Sequence, residues 1–191
     1  MTDRLAAQIA FLSEADKLKS VMRASRLHDN SRFENSAEHS WHVMLFALVL
    51  ADQADAAVSV DRVIRMLLLH DLVEIDAGDN PIHGTVDHAA MEAAEQVAAD
   101  RLFGLLPPDQ AAEYRALWEE FEAAVTPDAV FAKSIDRVQT PIANLKNGGG
   151  SWLDYNVSFD QLDMRVGVPV RRGAPKVWDW LEPKLRAFFA G

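Results

Sequence analysis

A chain of 191 residues, 49% apolar and 25% charged, has the size and composition of one globular domain. It contains no cysteine, which excludes a disulfide framework, a thiolate metal site and a cysteine nucleophile. Its formal net charge of −10 argues against a nucleic-acid polymer as partner, because binding DNA or RNA needs a basic surface.

The N-terminal segment MTDRLAAQIAFLSEADKLKS is charged throughout and lacks the apolar stretch of a signal peptide. The longest uninterrupted apolar run, 43–51, is far shorter than the roughly 18 residues that a membrane helix needs. We therefore expect a cytoplasmic protein with no membrane partner. One short basic segment could hold a small anion or form a solvated loop, and it contains Lys17, Lys19, Arg23, Arg26 and Arg32 beside the single acid Asp29.

Apolar residues recur at helical spacing along nearly the whole chain, and no stretch alternates convincingly as a strand. A first helix is predicted over 4–22, followed by a polar loop. The apolar stripe of this helix consists of Leu5, Ile9, Leu12, Ala15 and Leu18.

Two apolar helices are predicted next, and we expect them at the centre of the fold. Asn35 begins the first of them as the N-cap of a capping box. This helix, from 36 to about 54, is apolar on almost every side, which predicts a buried position. The second begins after Ser59 or Asp61, is equally apolar, and ends at Gly78.

The remaining helices are predicted over 87–103, 108–124, 127–145 and 174–189. A triple glycine at 148–150 interrupts the chain, and 151–172 shows no clear pattern. The prediction is one all-α domain over 1–191 with about seven to eight helices. Its core spans about 12–145, and 151–191 forms a C-terminal helical extension.

The segment LLLHDLVEIDAGD places a histidine and four acids behind a run of leucines, with no basic residue to balance them. Either the helix ends in a solvated acidic stretch, or the histidine and the acids share a cation. His70 and Asp71 lie at the end of a helix that must be buried, where an ionised aspartate without a partner is costly. A buried aspartate beside a histidine is normally either hydrogen-bonded to that histidine or bound together with it to a metal. The other His-Asp pair, at 28–29, lies in a polar loop and is interpreted as surface.

The order of the helices brings further ligands to the same place. His39 lies near the start of one central helix and His70 near the end of the next, and their short connection favours antiparallel packing. Two imidazoles with the Asp71 carboxylate suit a borderline-soft divalent ion. Asp136 is the candidate for a further ligand, because it lies on a helix face of small residues. The alternative is a salt bridge to a neighbouring lysine or arginine.

Two more acids follow the His-Asp pair. Glu74 shares its helix face, which suits action on a metal-bound water rather than ligation. Asp79 follows a glycine at a turn and could reach back over the site. For both acids the alternative is a frayed acidic helix end. His42 is interpreted as a packed core histidine or as a residue behind the ligands, and His83 and His88 have no assigned role.

The series His39, His70-Asp71 and Asp136, all on helices, resembles the HD-domain metal-dependent phosphohydrolase superfamily. Three segments are also similar to the HD hydrolases that include the bacterial 5'-deoxynucleotidases: RFENSAEHSWHV, LLLHDLVEIDAGDNP and FAKSIDRVQ. The resemblance extends over about 12–145. It implies an HD-domain helical bundle that holds one divalent transition metal ion (Mn, Co, Ni, Fe or Zn) on His39, His70, Asp71 and Asp136.

The resemblance also implies roles around the metal. Glu74 would help to activate the attacking water. Asp79 would contribute to catalysis and, together with Pro81 of the same Gly-Asp-x-Pro turn, to the substrate site. An arginine upstream of the first histidine would bind the phosphate. Its best positional match is Arg23, with Arg26 or Arg32 as alternatives. In the bacterial 5'-deoxynucleotidases a tryptophan that helps to reject ribose follows this arginine, whereas this chain has alanine at 24.

The predicted function is metal-dependent hydrolysis of (deoxy)nucleoside 5'-monophosphates to nucleoside and phosphate. The alternatives are a phosphodiesterase or pyrophosphohydrolase acting on another small nucleotide, and a non-catalytic HD-like signalling module. Family precedent favours a homodimer. The aromatic last helix is expected either to pack on the core or to form a dimer contact.

Overall fold

Helices form most of the computed structural model, which describes residues 3–55, 57–84 and 87–191. They are α1 (Arg4–Ala15), α2 (Ser36–Val49), α3 (Val60–Leu69), α4 (Glu74–Ala77), α5 (His88–Phe103), α6 (Pro108–Ala123), α7 (Pro127–Lys146), α8 (Ser151–Asp154), α9 (Phe159–Leu162), α10 (Val168–Gly173) and α11 (Pro175–Phe189). The all-α prediction is confirmed. In the described ranges, no helix is long and apolar enough to cross a bilayer.

A small antiparallel hairpin, which the sequence pattern did not predict, joins α1 to α2. Its strands are β1 (Met22–Arg26) and β2 (Phe33–Asn35), with Met22 opposite Asn35. The predicted first helix over 4–22 is therefore too long, because α1 ends at Ala15 and a 3-10 turn precedes β1. Strands this short contain too few alternating residues for a period of two to be recognised.

The apolar stripe of α1 does not face the core. Leu5, Ile9 and Leu12 are exposed, and Phe11 is the buried residue of this helix. Phe11 packs against the ring of Phe103. Periodicity identified an apolar face, but only the packing of α1 at the edge of the bundle shows which face is covered.

Helix α2 begins as predicted, with a capping box in which the Asn35 side chain accepts from the Glu38 amide. It ends at Val49 rather than near 54, and it is not buried on all sides. Its outer face exposes large apolar residues, namely Trp41, Leu45, Leu48 and Val49. Its inner face packs on α3 and α7 and buries smaller or polar residues, namely Ser36, His39, Ser40, Val43 and Ala47. Helix α2 therefore directs a histidine, rather than its bulkiest side chains, towards the centre of the bundle.

The helix predicted to end at Gly78 is not one continuous α-helix. Helix α3 stops at Leu69, a 3-10 turn covers His70–Val73, and α4 follows. The backbone leaves α4 through Gly78, whose φ of 77° favours glycine. This tighter turn buries both His70 and Asp71.

The C-terminal part of the chain adds to the same hydrophobic core. Helix α10 packs on α7, and a π-helical turn, Asp163–Gly167, joins it to α9. Trp178 of α11 is completely buried, whereas Trp180 is 56% exposed. Phe188 and Phe189 pack on the ring of Trp152. Of the two roles expected for the last helix, the structure shows core packing.

The two tryptophans of α11 provide a matched test of this packing. We expect Trp178→Ala to lower the free energy of unfolding by about 3–5 kcal/mol, because it leaves a large cavity. Trp180→Ala should cost less than about 1 kcal/mol, since that ring is largely solvated. Denaturant unfolding of both variants measures the difference, and equal losses would contradict this packing.

Candidate metal centre and substrate cleft

Three side chains from three helical segments meet at the centre of the bundle. His39 comes from α2, His70 from the turn after α3, and Asp136 from α7, and one potential ligand atom of each lies within 4.8 Å of the others. Asp136 Oδ1 lies 2.8 Å from His39 Nε2 and 3.6 Å from His70 Nε2. The structure thus brings together three of the four predicted ligands.

Asp71, the fourth predicted ligand, lies beside this group. Its Oδ1 is 3.0 Å from His70 Nε2, and its Oδ2 accepts from Arg23 Nη1 at 3.3 Å. The alternative for Asp136, a salt bridge to a lysine or arginine of its own helix, is less well supported by the distances. Arg137 Nε is 3.9 Å from Asp136 Oδ2, a longer distance than that to His39, and Lys133 of the same helix is paired with a glutamate of α6 instead.

The hydrogen bonds of the two imidazoles leave one nitrogen of each directed at carboxylate oxygens. His70 Nδ1 donates to the Leu67 carbonyl at 2.8 Å, and His39 Nδ1 donates to Gln139 Oε1 at 3.2 Å. In a neutral ring, Nε2 then carries a lone pair. His70 Nε2 is buried and makes no hydrogen bond to any described residue, although the oxygens of Asp71 and Asp136 face it. Two carboxylates that face a buried imidazole nitrogen require a cation between them, either a proton on that nitrogen or a metal ion.

The charge of the centre leads to the same conclusion. Burial acts to lower the pKa of His70, but the charges of Asp71 and Asp136 outweigh it and raise the pKa to about 10. Burial acts to raise the pKa of Asp71, yet the charges of His70 and Arg23 lower it to about 2. A proton on His70 therefore balances these carboxylates, and a divalent ion on the same histidine nitrogens and aspartate oxygens would replace that proton.

A cleft of about 190 Å³ opens beside the three converging side chains. Its walls include every predicted site residue except His39, namely Arg23, His70, Asp71, Glu74, Asp79, Pro81 and Asp136. Ala24 also lines it, and its amide donates to Asp79 Oδ2 at 3.4 Å.

Of the three candidate arginines, Arg23 is the one on this cleft. Its Nη1 lies 3.3 Å from Asp71 Oδ2 and 3.7 Å from Asp79 Oδ1. Arg26 instead stacks on the Phe33 ring, and Arg32 forms two hydrogen bonds with Glu38, so both side chains are engaged elsewhere.

The two further acids, Glu74 and Asp79, have raised pKa values in this cleft. Ser36 Oγ donates to Glu74 Oε2 at 2.6 Å, which fixes the carboxylate. Burial and the neighbouring charge of Asp71 raise the pKa of Glu74 to about 8. Burial also raises the pKa of Asp79, although Arg23 acts against it.

Sequence reasoning missed two buried residues behind the centre, Glu34 and Gln139. Gln139 lies one turn after Asp136 on α7, and its Nε2 donates to Glu34 and to His42 Nδ1. The half-buried His42 thus lies behind a predicted ligand as well as against the core. His83, which had no assigned role, lines the cleft, and its pKa is lowered to about 4 by burial and by two nearby arginines.

A family model described as HD domain matches residues 15–178. The chain belongs to the HD domain family. The resemblance noted from the sequence is thereby confirmed.

Named relatives of this HD domain are similar over most of their length. A 5'-deoxynucleotidase of Bos taurus is 30% identical over 153 residues, which cover 77% of this chain and 73% of the relative. A 5'-deoxynucleotidase of Photorhabdus laumondii is 24% identical, with 80% of this chain and 81% of the relative covered.

Two solved structures share this HD-domain fold. The crystal structure of a predicted metal-dependent phosphohydrolase from Magnetospirillum magnetotacticum is 47% identical, with a TM-score of 0.91 over 97% of this chain and 95% of that one. A conserved hypothetical protein from Pyrococcus furiosus is 22% identical, with a TM-score of 0.64 over 93% of this chain and 99% of that one, and it shows similarity of fold alone.

A cation at the centre should stabilise the folded HD domain. After chelation, adding Mn²⁺ at about 100 times its dissociation constant should stabilise the fold by about 2.7 kcal/mol, because the ion binds the folded state. Calorimetric melting curves measure this effect. His70→Gln should abolish it, and Asp109→Asn, which removes an exposed carboxylate paired with Arg4, should retain it. An equal effect of Mn²⁺ on His70→Gln would contradict the assignment.

Proposed function

We propose that the protein is a metal-dependent phosphohydrolase that converts (deoxy)nucleoside 5'-monophosphates to nucleoside and phosphate. The observation that carries this proposal is the cleft in which His70 Nε2, which makes no hydrogen bond to any described residue, lies beside two carboxylates and the guanidinium of Arg23. An ion-binding group and a phosphate-binding group then face the same space. The names of the relatives from Bos taurus and Photorhabdus laumondii support a 5'-nucleotide as the substrate.

The ion would be held by His39, His70, Asp71 and Asp136, whose nitrogen and oxygen atoms suit Mn, Co, Ni, Fe or Zn. When bound, a divalent ion polarises a phosphoryl oxygen and lowers the pKa of water. The Arg23 guanidinium binds the phosphate, and the carboxylates around it raise its pKa further above the usual value, which keeps it charged. Each group is in place before the substrate enters, because neighbouring side chains hold it there.

Glu74 and Asp79 move the protons of the reaction. Glu74 accepts a proton from the attacking water as the new P–O bond forms, and Ser36 holds its carboxylate for that step. Burial and the charge of Asp71 raise the pKa of Glu74 to about 8, and a divalent ion beside Asp71 would offset this and favour the ionised carboxylate. Asp79, which lines the same cleft, donates a proton to the 5'-oxygen as the ester bond breaks. The products are a nucleoside and inorganic phosphate.

Phosphate release from ribo- and deoxyribonucleoside 5'-monophosphates tests this function. After chelation we expect no release, and we expect release to return with Mn²⁺, Co²⁺, Ni²⁺, Fe²⁺ or Zn²⁺. Asp71→Ala should lose it, and Glu74→Gln should lower kcat by about 10²–10⁴-fold, because the proton acceptor is removed. Asp109→Asn serves as the matched control, since that carboxylate lies outside the cleft. The proposal fails if no monophosphate is hydrolysed with any of these ions.

The same panel tests the sugar preference. Ala24 lines the cleft with a side chain of one methyl group, so we expect both sugars to be accepted. Ala24→Trp should raise the ratio of deoxyribonucleotide to ribonucleotide hydrolysis, because the larger ring fills space beside Arg23. If the ratio does not change, the residue at position 24 does not select between the two sugars.

We further propose a homodimer formed through the exposed apolar face of α2. Trp41, Leu45 and Leu48 follow one another at helical spacing on that face. Sedimentation equilibrium should give twice the chain mass of 21.2 kDa. Leu45→Glu should shift the protein to monomer, and the same substitution at the exposed Val125 should not. A monomeric wild-type protein would rule the dimer out.

A further inference from the structure

The carboxylate of Glu34 is buried beside the centre but has no part in the mechanism above. Glu34 is the buried residue of β2, and its side chain is 3% exposed. An ionised carboxylate in such a position is costly unless nearby groups compensate its charge. The groups that lie against it are the two parts of the proposed site, the metal ligand His39 and the phosphate-binding Arg23.

Towards the metal centre, Glu34 acts through Gln139. Glu34 Oε1 accepts from Gln139 Nε2 at 3.0 Å. A carboxylate only accepts hydrogen bonds, so the Gln139 amide must present its NH₂ group to Glu34 and its oxygen to the opposite side. Thr140 Oγ1 donates to that oxygen at 3.2 Å.

The orientation of Gln139 in turn sets the protonation of His39. Gln139 Oε1 lies 3.2 Å from His39 Nδ1, so Nδ1 must carry the hydrogen. In the neutral ring, Nε2 is then left with its lone pair directed at Asp136, as a metal ligand requires. Glu34 Oε2 also lies 3.6 Å from His39 Nδ1 and adds its negative charge on the donor side of the ring.

Towards the phosphate site, Glu34 holds the other edge of a guanidinium. Its Oε2 lies 3.7 Å from Arg23 Nε, and both atoms are buried without a hydrogen bond to any described residue. Arg23 Nη1 lies against the cleft carboxylates, at 3.3 Å from Asp71 Oδ2. The Glu34 carboxylate near Nε and the Asp71 carboxylate near Nη1 therefore hold the guanidinium between them at the wall of the cleft.

We propose that Glu34 is a positioning residue that couples the metal centre to the phosphate site. It selects the tautomer of His39 through Gln139, and it holds Arg23 at Nε. The Arg23 part rests on the proposed function, whereas the His39 part concerns binding of the ion alone.

The ion-binding part is tested with Glu34→Gln, which keeps the size of the side chain and removes its charge. Gln at 34 has both a donor and an acceptor, so Gln139 is free to turn. Titration of the chelated protein with Mn²⁺ in a calorimeter should show about 10–100-fold weaker binding. The matched control is Glu38→Gln, four residues later, where the exposed carboxylate pairs with Arg32 and glutamine still completes the capping box. That variant should bind Mn²⁺ like the wild type.

A second variant separates the two roles and guards against misfolding. Gln139→Met removes the link to His39 but leaves Glu34 beside Arg23. It should weaken Mn²⁺ binding to the same degree as Glu34→Gln. With saturating Mn²⁺ and deoxyadenosine 5'-monophosphate as substrate, Glu34→Gln should raise KM several-fold, while Gln139→Met should leave KM close to the wild-type value.

Melting temperatures of the chelated proteins show whether each variant folds. If Glu34→Gln is folded and both its Mn²⁺ affinity and its KM lie within twofold of the wild type, the proposal is overturned. A lower melting temperature with unchanged Mn²⁺ affinity and KM also overturns it, because Glu34 would then be purely structural. If the wild type hydrolyses no monophosphate, the proposed function fails, and the Mn²⁺ titrations still decide the role of Glu34 towards His39.

Discussion

Several carboxylates are buried together at the centre of this bundle, and the surrounding structure depends on how their negative charge is balanced. Among the described residues, four carboxylates lie within 4.0 Å of the Arg23 guanidinium, each at most 13% exposed: Glu34, Asp71, Glu74 and Asp79. A fifth, Asp136, is 15% exposed and lies against the two histidines. Like charges this close are unfavourable in a buried site unless cations share it. Arg23 provides one cation, and the free nitrogen of His70 marks the place of another.

The fold meets this demand by bringing distant segments to one point. Helix α2 is anchored by its capping box and buries a polar face, so His39 points inward while apolar side chains remain outside. A 3-10 turn after α3 buries His70 together with Asp71. Helix α7 packs on both helices and supplies Asp136 from its inner face. The hairpin between α1 and α2 then closes the cleft with Arg23.

The hairpin adds a positively charged side chain to this acidic centre. A histidine and aspartate group binds a cation, but an anionic substrate also needs a positive group placed beforehand, since an acidic cleft otherwise repels it. Strand β1 places Arg23 on the cleft, and its Ala24 amide holds Asp79, so two substrate-facing groups depend on one strand. Behind them, hydrogen bonds of fixed polarity leave little freedom for the imidazoles to turn.

By itself, the sequence determined the helical class and most helix boundaries, and it predicted the residues that meet at the centre. Helical periodicity and capping are local properties, and an acidic, histidine-containing segment behind a leucine run is chemically conspicuous. Only the tertiary structure decided which faces are covered, as the exposed Leu5 of α1 and Trp41 of α2 show. It also separated Arg23 from the other arginines and revealed Glu34, because each role depends on strand pairing and on neighbours far away along the chain. The position of a residue in a helix or strand sets the face on which its side chain lies. Which residues that face contacts depends on the packing of the whole chain.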